Sequence, residues 1–159
     1  MKLEDEIVQK NFRSEAHKLG VNIIFTFNWI NNFHNNVMKK FGLTSQQFNI
    51  MRILRGQHPN PANIKLLRER MLDKMSDASR IVEKLRTKGL IERNTNESDR
   101  RACDVIITQK GLELLKVIDK EDITFDGFFS QLDEQEMKHL NHLLDKLRGE
   151  FLTVSFSFF

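Results

Sequence analysis

The sequence predicts a mainly α-helical protein with one small β-hairpin, and three observations support this fold class. Apolar residues recur every three or four positions over most of the 159 residues, a spacing typical of amphipathic helices. The chain holds only 2 Pro and 7 Gly, too few for a protein built from many short strands. With 40% hydrophobic and 30% charged residues, it can bury a core, so a disordered chain is excluded as well.

The first predicted element is one long helix over about residues 5 to 40. Gly20 and an Asn-rich stretch lower its helix propensity, so the prediction rests on the apolar stripe. That stripe comprises Phe12, Ala16, Leu19, Ile23, Phe27, Ile30, Phe33, Val37 and Phe41.

The second helix begins after Thr44, whose hydroxyl can cap the amide of Gln47 while the Gln47 side chain reaches back. Leu43 and Phe48 occupy the positions of a hydrophobic staple. The helix should end at Gly56, and residues 58–61 should form the connection that follows.

The middle of the chain predicts two short helices and then a hairpin. The helices cover Ile64 to Met71 and about Ser76 to Lys88, and Gly89 ends the second. Residues 90–93 and 103–107 are strand-like, and the polar stretch 94–101 between them is rich in turn formers.

Two more helices complete the prediction. Thr108 can cap one that runs from Gln109 to about Phe128. Asp133 and Glu136 repeat the capping pattern of the second helix, so a terminal helix should follow them.

Helix, turn, helix and a two-stranded wing, in this order, are typical of a winged helix-turn-helix module that binds DNA. A guanidinium group can donate two hydrogen bonds to guanine, and small hydroxyl groups allow close approach to the bases. Alternatively, these side chains form the solvated face of an ordinary amphipathic helix. The predicted DNA-binding residues are Ser76, Ser79, Arg80 and Lys84 around the second short helix, and Arg100 and Arg101 at the hairpin tip.

The charge distribution agrees with a polyanionic partner. Residues 1–60 carry 8 Lys and Arg against 4 Asp and Glu, and residues 61–110 carry 12 against 8. Residues 111–159 reverse the balance, with 5 basic against 10 acidic side chains. We therefore expect DNA to meet the first two thirds of the chain.

Three segments in this order and spacing resemble the MarR family of bacterial transcription regulators. They are Lys88-Gly89-Leu90-Ile91-Glu92-Arg93, Asp99-Arg100-Arg101 and Ile107-Thr108-Gln109-Lys110-Gly111. The resemblance implies a homodimeric DNA-binding regulator on a pseudo-palindromic operator, which we expect to be a repressor released by a small-molecule ligand. It further implies a helical dimerisation region at 1–42 and 109–159 around a DNA-binding domain at 43–108.

The same resemblance implies roles for single residues. Ser79 and Arg80 match the family's Thr-Arg pair on the recognition helix, and Arg101 matches the wing arginine that enters the minor groove. Glu83 sits where the family often has an Asp that pairs with that arginine. The apolar tail 151–159 is expected to be buried against a second subunit, although packing on its own core or an origin outside the natural chain are alternatives.

A ligand crevice is the further implication. Small aromatic ligands of such a crevice would meet Phe25, Trp29, Phe33, Phe48 and Met51, although all five could equally be core residues.

Other chemistry is disfavoured. Glu136, His139 and His142 have helical spacing for a metal, but they lie on a polar helix, and Cys103 is expected to be a packed thiol rather than a peroxide sensor. No cofactor is expected. The alternative of a small enzyme with its site at His34 or His139 is disfavoured, because the sequence shows neither a nucleophile elbow nor a glycine-rich phosphate loop. A winged helix used only for protein interaction remains the rival class. Because no apolar run approaches about 20 residues and the N-terminus lacks a signal-peptide pattern, we expect a cytoplasmic protein.

Overall fold

The structure, a computed structural model, describes residues 1–95, 103–120 and 125–150. The described chain is mainly helical with a small antiparallel sheet, which confirms the predicted fold class. It divides into a first unit, Met1–Ile118, and a second unit, Asp119–Phe159. The helices are α1 (Leu3–Glu6), α2 (Glu15–Lys40), α3 (Ser45–Gln57), α4 (Ile64–Arg70), α5 (Ala78–Thr87), α6 (Gln109–Lys120), α7 (Phe125–Phe128) and α8 (Glu134–Glu150), and the strands are β1 (Ala62–Asn63), β2 (Ile91–Thr95) and β3 (Cys103–Ile107).

The N-terminal region differs from its prediction, because α2 begins only at Glu15 and a short α1 precedes it. The reason is a cap at Ser14, whose hydroxyl accepts a hydrogen bond from the backbone amide of His17 at 3.1 Å. An ion pair of 2.5 Å between Lys18 and Glu4 then joins α2 to α1.

Both predicted capping boxes are confirmed. At the start of α3, the Gln47 amide donates to the Thr44 hydroxyl at 3.2 Å and the Thr44 amide donates to the Gln47 side chain at 3.1 Å. Asp133 and Glu136 make the same pair of bonds before α8, each 2.9 Å long. The end of α3 lies at Gln57, one residue beyond the predicted stop.

The predicted hairpin is confirmed, but the sequence did not reveal a third strand. Strands β2 and β3 pair antiparallel with Ile91 opposite Ile107, and β1 pairs with the other edge of β3 with Ala62 opposite Val105. Two residues are too few to show the alternating pattern of a strand. Asn63 also caps α4, since its side chain accepts from the amide of Leu66 at 2.8 Å.

The core of the first unit lies between the three helices α3, α4 and α5 and the sheet. Each of these elements contributes at least one side chain with no exposed surface. The apolar packing of this core supplies the main stabilisation of the first unit. Because one side of α5 is buried in it, the packing also determines which side of α5 faces the solvent. These side chains are Ile50 and Met51 from α3, Leu67 from α4, Val82 and Leu85 from α5, and Val105 from β3.

A compact junction joins the end of α5 to the start of α6. Gly89 ends α5 with a φ of 68°, in the left-handed region that favours glycine. Thr108 donates from its hydroxyl to the Gly89 carbonyl at 2.9 Å and accepts from the Gly111 amide at 3.1 Å, which confirms its predicted role as a cap. Lys110 donates to the Lys88 carbonyl at 2.9 Å. The junction thus gives a structural reason for the Ile-Thr-x-Lys-Gly segment.

The helix predicted from Gln109 to about Phe128 is described in two parts. Helix α6 covers it up to Lys120 and α7 covers residues 125–128, while residues 121–124 lie outside the described residues. In the second unit, α8 is an exposed amphipathic helix. None of the helices in the described segments is both long and apolar enough to cross a bilayer.

Candidate nucleic-acid interface

The N-terminus of α5 is built by two acidic side chains. Asp77 is the cap, and its carboxylate accepts from the Arg80 amide at 3.1 Å. Asp73 organises the preceding turn by accepting from the Met75 amide at 3.0 Å and the Ser76 hydroxyl at 2.6 Å. The Ser76 hydroxyl bond is also the largest cause that lowers the pKa of Asp73. Ser76 therefore lies in the turn before the helix, because α5 begins at Ala78, two residues after the predicted start.

The exposed side of α5 holds the predicted DNA-binding residues of this helix. Ser79, Arg80 and Lys84 are exposed, while Ala78, Val82 and Leu85 face the core. At 100° per residue, the exposed side chains divide into two flanks. Arg80, Lys84, Thr87 and Lys88 form the first flank, and Ser79, Glu83 and Arg86 form the second.

Glu83 connects the second flank of α5 to the sheet. Its carboxylate accepts from the Arg86 guanidinium at 2.7 Å and lies 3.9 Å from that of Arg93 on β2. The hydrogen bond from Arg86 lowers the pKa of Glu83 below its usual value. In the described residues, Glu83 therefore already pairs with two arginines, neither of which is the wing arginine that the resemblance implied.

The tip of the hairpin, with Arg100 and Arg101, lies outside the described residues. The described strands fix where the tip begins, since Thr95 pairs with Cys103. Cys103 is half-buried and carries a free thiol.

The five predicted ligand residues differ widely in burial. Met51 has no exposed surface, Phe25 and Phe48 are half-buried, and Trp29 and Phe33 are about half exposed. The Phe48 ring contacts the His34 ring, with centroids 5.6 Å apart, and lies below the Arg52 guanidinium. Their role in ligand binding remains a prediction.

His34 belongs to a polar chain between α2 and α3. The Ser45 hydroxyl donates to the Asn35 side chain at 2.5 Å, so it accepts from Nδ1–H of His34 at 2.7 Å. Partial burial lowers the pKa of His34, because the protein interior disfavours the charged imidazole. This chain fixes the start of α3 against α2.

A basic crevice was not predicted from the sequence. It has a volume of about 440 Å³ and lies where the end of α2, the start of α3 and the last turn of α5 meet. Three lysines contribute to it, and their only sequence signal is their position near helix ends. The lining residues are Lys39, Gly42, Leu43, Thr44, Gln47, Lys84, Thr87 and Lys88.

A metal site has no support in the described part of the chain. There, His, Cys, Asp and Glu form no group of three or more that could hold an ion. The Glu136 carboxylate accepts from the Asp133 amide and completes the cap of α8. His139 and His142 are exposed on that helix.

Comparison with known proteins points to one family. A model of the MarR family matches residues 43–103, which include α3, α4, α5 and most of the hairpin. The HTH-type transcriptional regulator MgrA of Staphylococcus aureus is 28% identical over 147 residues, which cover 87% of this chain and 95% of MgrA. The HTH-type transcriptional regulator MhqR of Bacillus subtilis is 26% identical over 131 residues, covering 82% of this chain and 89% of MhqR.

Solved structures share the fold. A MarR variant from E. coli in complex with operator DNA aligns with a TM-score of 0.71 at 21% identity, covering 92% of this chain and 99% of that one. The organohalide-sensing regulator RdhR, in its form bound to 2,4-dichlorophenol, aligns with a TM-score of 0.77 at 18% identity. That alignment covers 94% of this chain and 90% of RdhR.

Proposed function

Because this chain belongs to the MarR family of winged helix-turn-helix transcription regulators, we propose that it binds a pseudo-palindromic operator as a homodimer and represses transcription there. Residues 43–108 form the DNA-binding domain, and residues 1–42 and 109–159 form the dimerisation region. The observation that carries the proposal is the exposed basic side of α5. Members of this family are transcription regulators, so the hypothesis that this chain is a small enzyme is rejected.

In this proposal, α5 enters the major groove. Arg80 lies in the first turn after the cap, where its guanidinium can reach guanine O6 and N7. Ser79 is small enough to allow close approach, and Lys84 neutralises a phosphate. Arg100 and Arg101 of the wing then enter the adjacent minor groove, whose narrow A·T-rich form attracts guanidinium groups.

Arg80→Ala tests base recognition. Fluorescence anisotropy with labelled DNA from upstream of its own gene should show that the variant loses about 1–3 kcal/mol of binding free energy. Its preference for this DNA over a scrambled sequence should also decrease. Arg13→Ala is the matched control, because Arg13 is also exposed but lies before α2. Unchanged binding of Arg80→Ala would contradict this proposal, and equal weakening by both variants would point to charge alone.

Arg101→Ala tests the wing. If each of two wings neutralises one phosphate, the slope of log K against log salt should become shallower by about 2. Operator and scrambled DNA should weaken to similar degrees, since minor-groove and phosphate contacts carry little sequence information. A slope equal to that of the wild type would remove the wing from the contact surface. It would also favour the rival reading of a winged helix used for protein interaction if Arg80→Ala has no effect either.

The homodimer is supported by apolar side chains that the single chain leaves exposed. On α2, Leu19 and Ile24 are more than half exposed, and Phe27 reaches 63%. A soluble monomer rarely leaves so many large apolar side chains on one helix uncovered. On α8 of the second unit, Met137, Leu140, Leu143 and Leu147 form an exposed stripe at steps of three or four. The apolar tail 151–159, which lies outside the described residues, belongs to the same region in the proposal.

A small aromatic or phenolic ligand is proposed to release the operator. RdhR was crystallised with 2,4-dichlorophenol, which supports a ligand of this class for this chain as well. Trp29, the only tryptophan, is half exposed on α2 and would report binding near Phe25 and Phe33. We expect a panel of phenols to change its emission and to weaken operator binding. If both signals stay constant across the panel, the ligand proposal fails, while DNA binding is untouched. A repressor of this kind acts in the bacterial cytoplasm.

A further inference from the structure

The basic crevice is a second charged feature of the first unit. Its sides come from the last turns of α2 and α5, and its third side is the start of α3. Among the residues that the structure describes, three lysines and no Asp or Glu line it. An anion would therefore meet uncompensated positive charge there.

The three lysines have different roles. Lys88 donates to the Gly42 carbonyl and to the Gln47 side chain, the latter at 3.1 Å. These bonds tie the end of α5 to the turn that precedes α3. Lys39 and Lys84 are exposed beside this tie. The crevice thus combines one lysine that holds its shape with two whose ammonium groups are open to solvent.

The crevice continues the basic flank of the recognition helix. Arg80, Lys84, Thr87 and Lys88 follow one another along α5 at helical spacing, and the last three line the crevice. The rise from Arg80 to Lys88 is about 12 Å. A duplex that lies over Arg80 would thus have its sugar-phosphate backbone within reach of this end of the helix.

We propose that the crevice binds a backbone phosphate of the operator and that Lys39, from α2, completes this contact. The inference rests on the proposed DNA binding and extends the contact surface beyond the recognition helix and the wing. The wing side of α5 is braced by Glu83, Arg86 and Arg93. The phosphate contact would hold the opposite flank, so that α5 is anchored from both sides of the groove.

Lys39→Gln and Lys40→Gln form a matched pair for the test. Both lysines are exposed in the last turn of α2, but only Lys39 lines the crevice. In a dimer, Lys39→Gln should make the slope of log K against log salt shallower by about 2, since each phosphate contact contributes about 0.9. Between 50 and 200 mM salt, the wild type should then lose about tenfold more affinity than Lys39→Gln. Lys40→Gln should keep the wild-type slope, and the circular dichroism melts of both variants should match the wild type.

Competition by pyrophosphate distinguishes a backbone phosphate of the operator from a free anion as the group bound in the crevice. Added at constant ionic strength, it should compete with operator for the wild type and compete less for Lys39→Gln. Equal salt slopes for the two variants and the wild type would overturn the proposal. Pyrophosphate binding that depends on Lys39, together with an unchanged slope, would overturn the operator assignment in favour of a free anion. Failure of the wild type to bind any DNA would overturn the proposed function itself, and with it this inference.

Discussion

Gly111 shows how a single residue position is fixed by its surroundings. A Cβ at this position would meet the Leu90 carbonyl oxygen and come within 2.7 Å of Cγ1 of Ile107. A backbone oxygen cannot move aside cheaply, so any larger residue must push α6 away from Leu90 and from Ile107 on β3. The glycine therefore sets how closely α6 approaches the base of the hairpin.

Gly111→Ala should destabilise the first unit by about 1–3 kcal/mol in urea unfolding monitored by circular dichroism. Gly20→Ala is the control, since a Cβ at Gly20 meets nothing within 4 Å. Gly20 lies inside α2, so its replacement should stabilise the helix by about 0.5–1 kcal/mol. If Gly111→Ala were neutral, the close contact inferred at the junction would be wrong.

His34 makes the stability of the first unit depend on pH. Its pKa lies below the ordinary value of 6.5 because burial penalises the imidazolium form. Between the lowered pKa and 6.5, the unfolded chain binds more protons than the folded one, so stability decreases as pH falls through this window. Above 6.5 this contribution is constant.

The measurement compares thermal midpoints at pH 7.5 and pH 5 for the wild type and His34→Gln. The thermal midpoint of the wild type should fall further between pH 7.5 and pH 5 than that of the variant, because glutamine has no proton to take up. The exposed His139 supplies the control, and His139→Gln should follow the wild type. Parallel loss in His34→Gln and the wild type would show that His34 does not cause the effect.

At the scale of elements, Asp77 determines where α5 begins. Loss of a capping side chain typically costs about 1 kcal/mol. Asp77→Ala should therefore lower stability by about that amount and fray the turn that carries Ser79 and Arg80. Asp77→Asn should retain most of the stability, since an asparagine oxygen can accept the same bond from the Arg80 amide. Hydrogen exchange of that amide measures the effect, and equal protection in all three proteins would contradict it.

The elements with local chemical signals could be predicted from the sequence. Thr44 with Gln47, Asp133 with Glu136, and Gly89 each mark a helix end through bonds made within a few residues. The start of α2 was missed because the apolar stripe continues before Ser14, so periodicity outweighed the cap. Strand β1 was missed because its pairing with β3 joins residues far apart in sequence.

The candidate site was predictable only in part for the same reason. Arg80 and Lys84 follow from the helical period of α5, which places them opposite Val82 and Leu85. The crevice joins Lys39 to Lys88 across almost 50 residues, and no local pattern announces such a contact. The pairing of Glu83 with Arg93 likewise depends on how α5 packs against β2.

For the whole molecule, the exposed apolar side of α2 predicts that the chain does not act alone. Phe27→Glu should shift a dimer toward monomer at micromolar concentration in light scattering, because a buried carboxylate without a partner is strongly unfavourable in an interface. Asn28→Glu, one exposed position further, should have a smaller effect. A wild-type protein that is monomeric at every concentration tested would refute the homodimer. A Phe27→Glu variant that remains dimeric would show that this side of α2 is not part of the dimer interface.

The junction at Thr108 has a mechanical consequence. One hydroxyl holds both the glycine that ends α5 and the first turn of α6, and Lys110 adds a second tie. At Gly111 there is no room for a side chain between α6 and Leu90 or Ile107. We therefore expect the start of α6, a helix of 12 residues or about 18 Å, to move together with α5 as one rigid piece. A change in the direction of α6 would then change the direction in which the basic side of α5 faces.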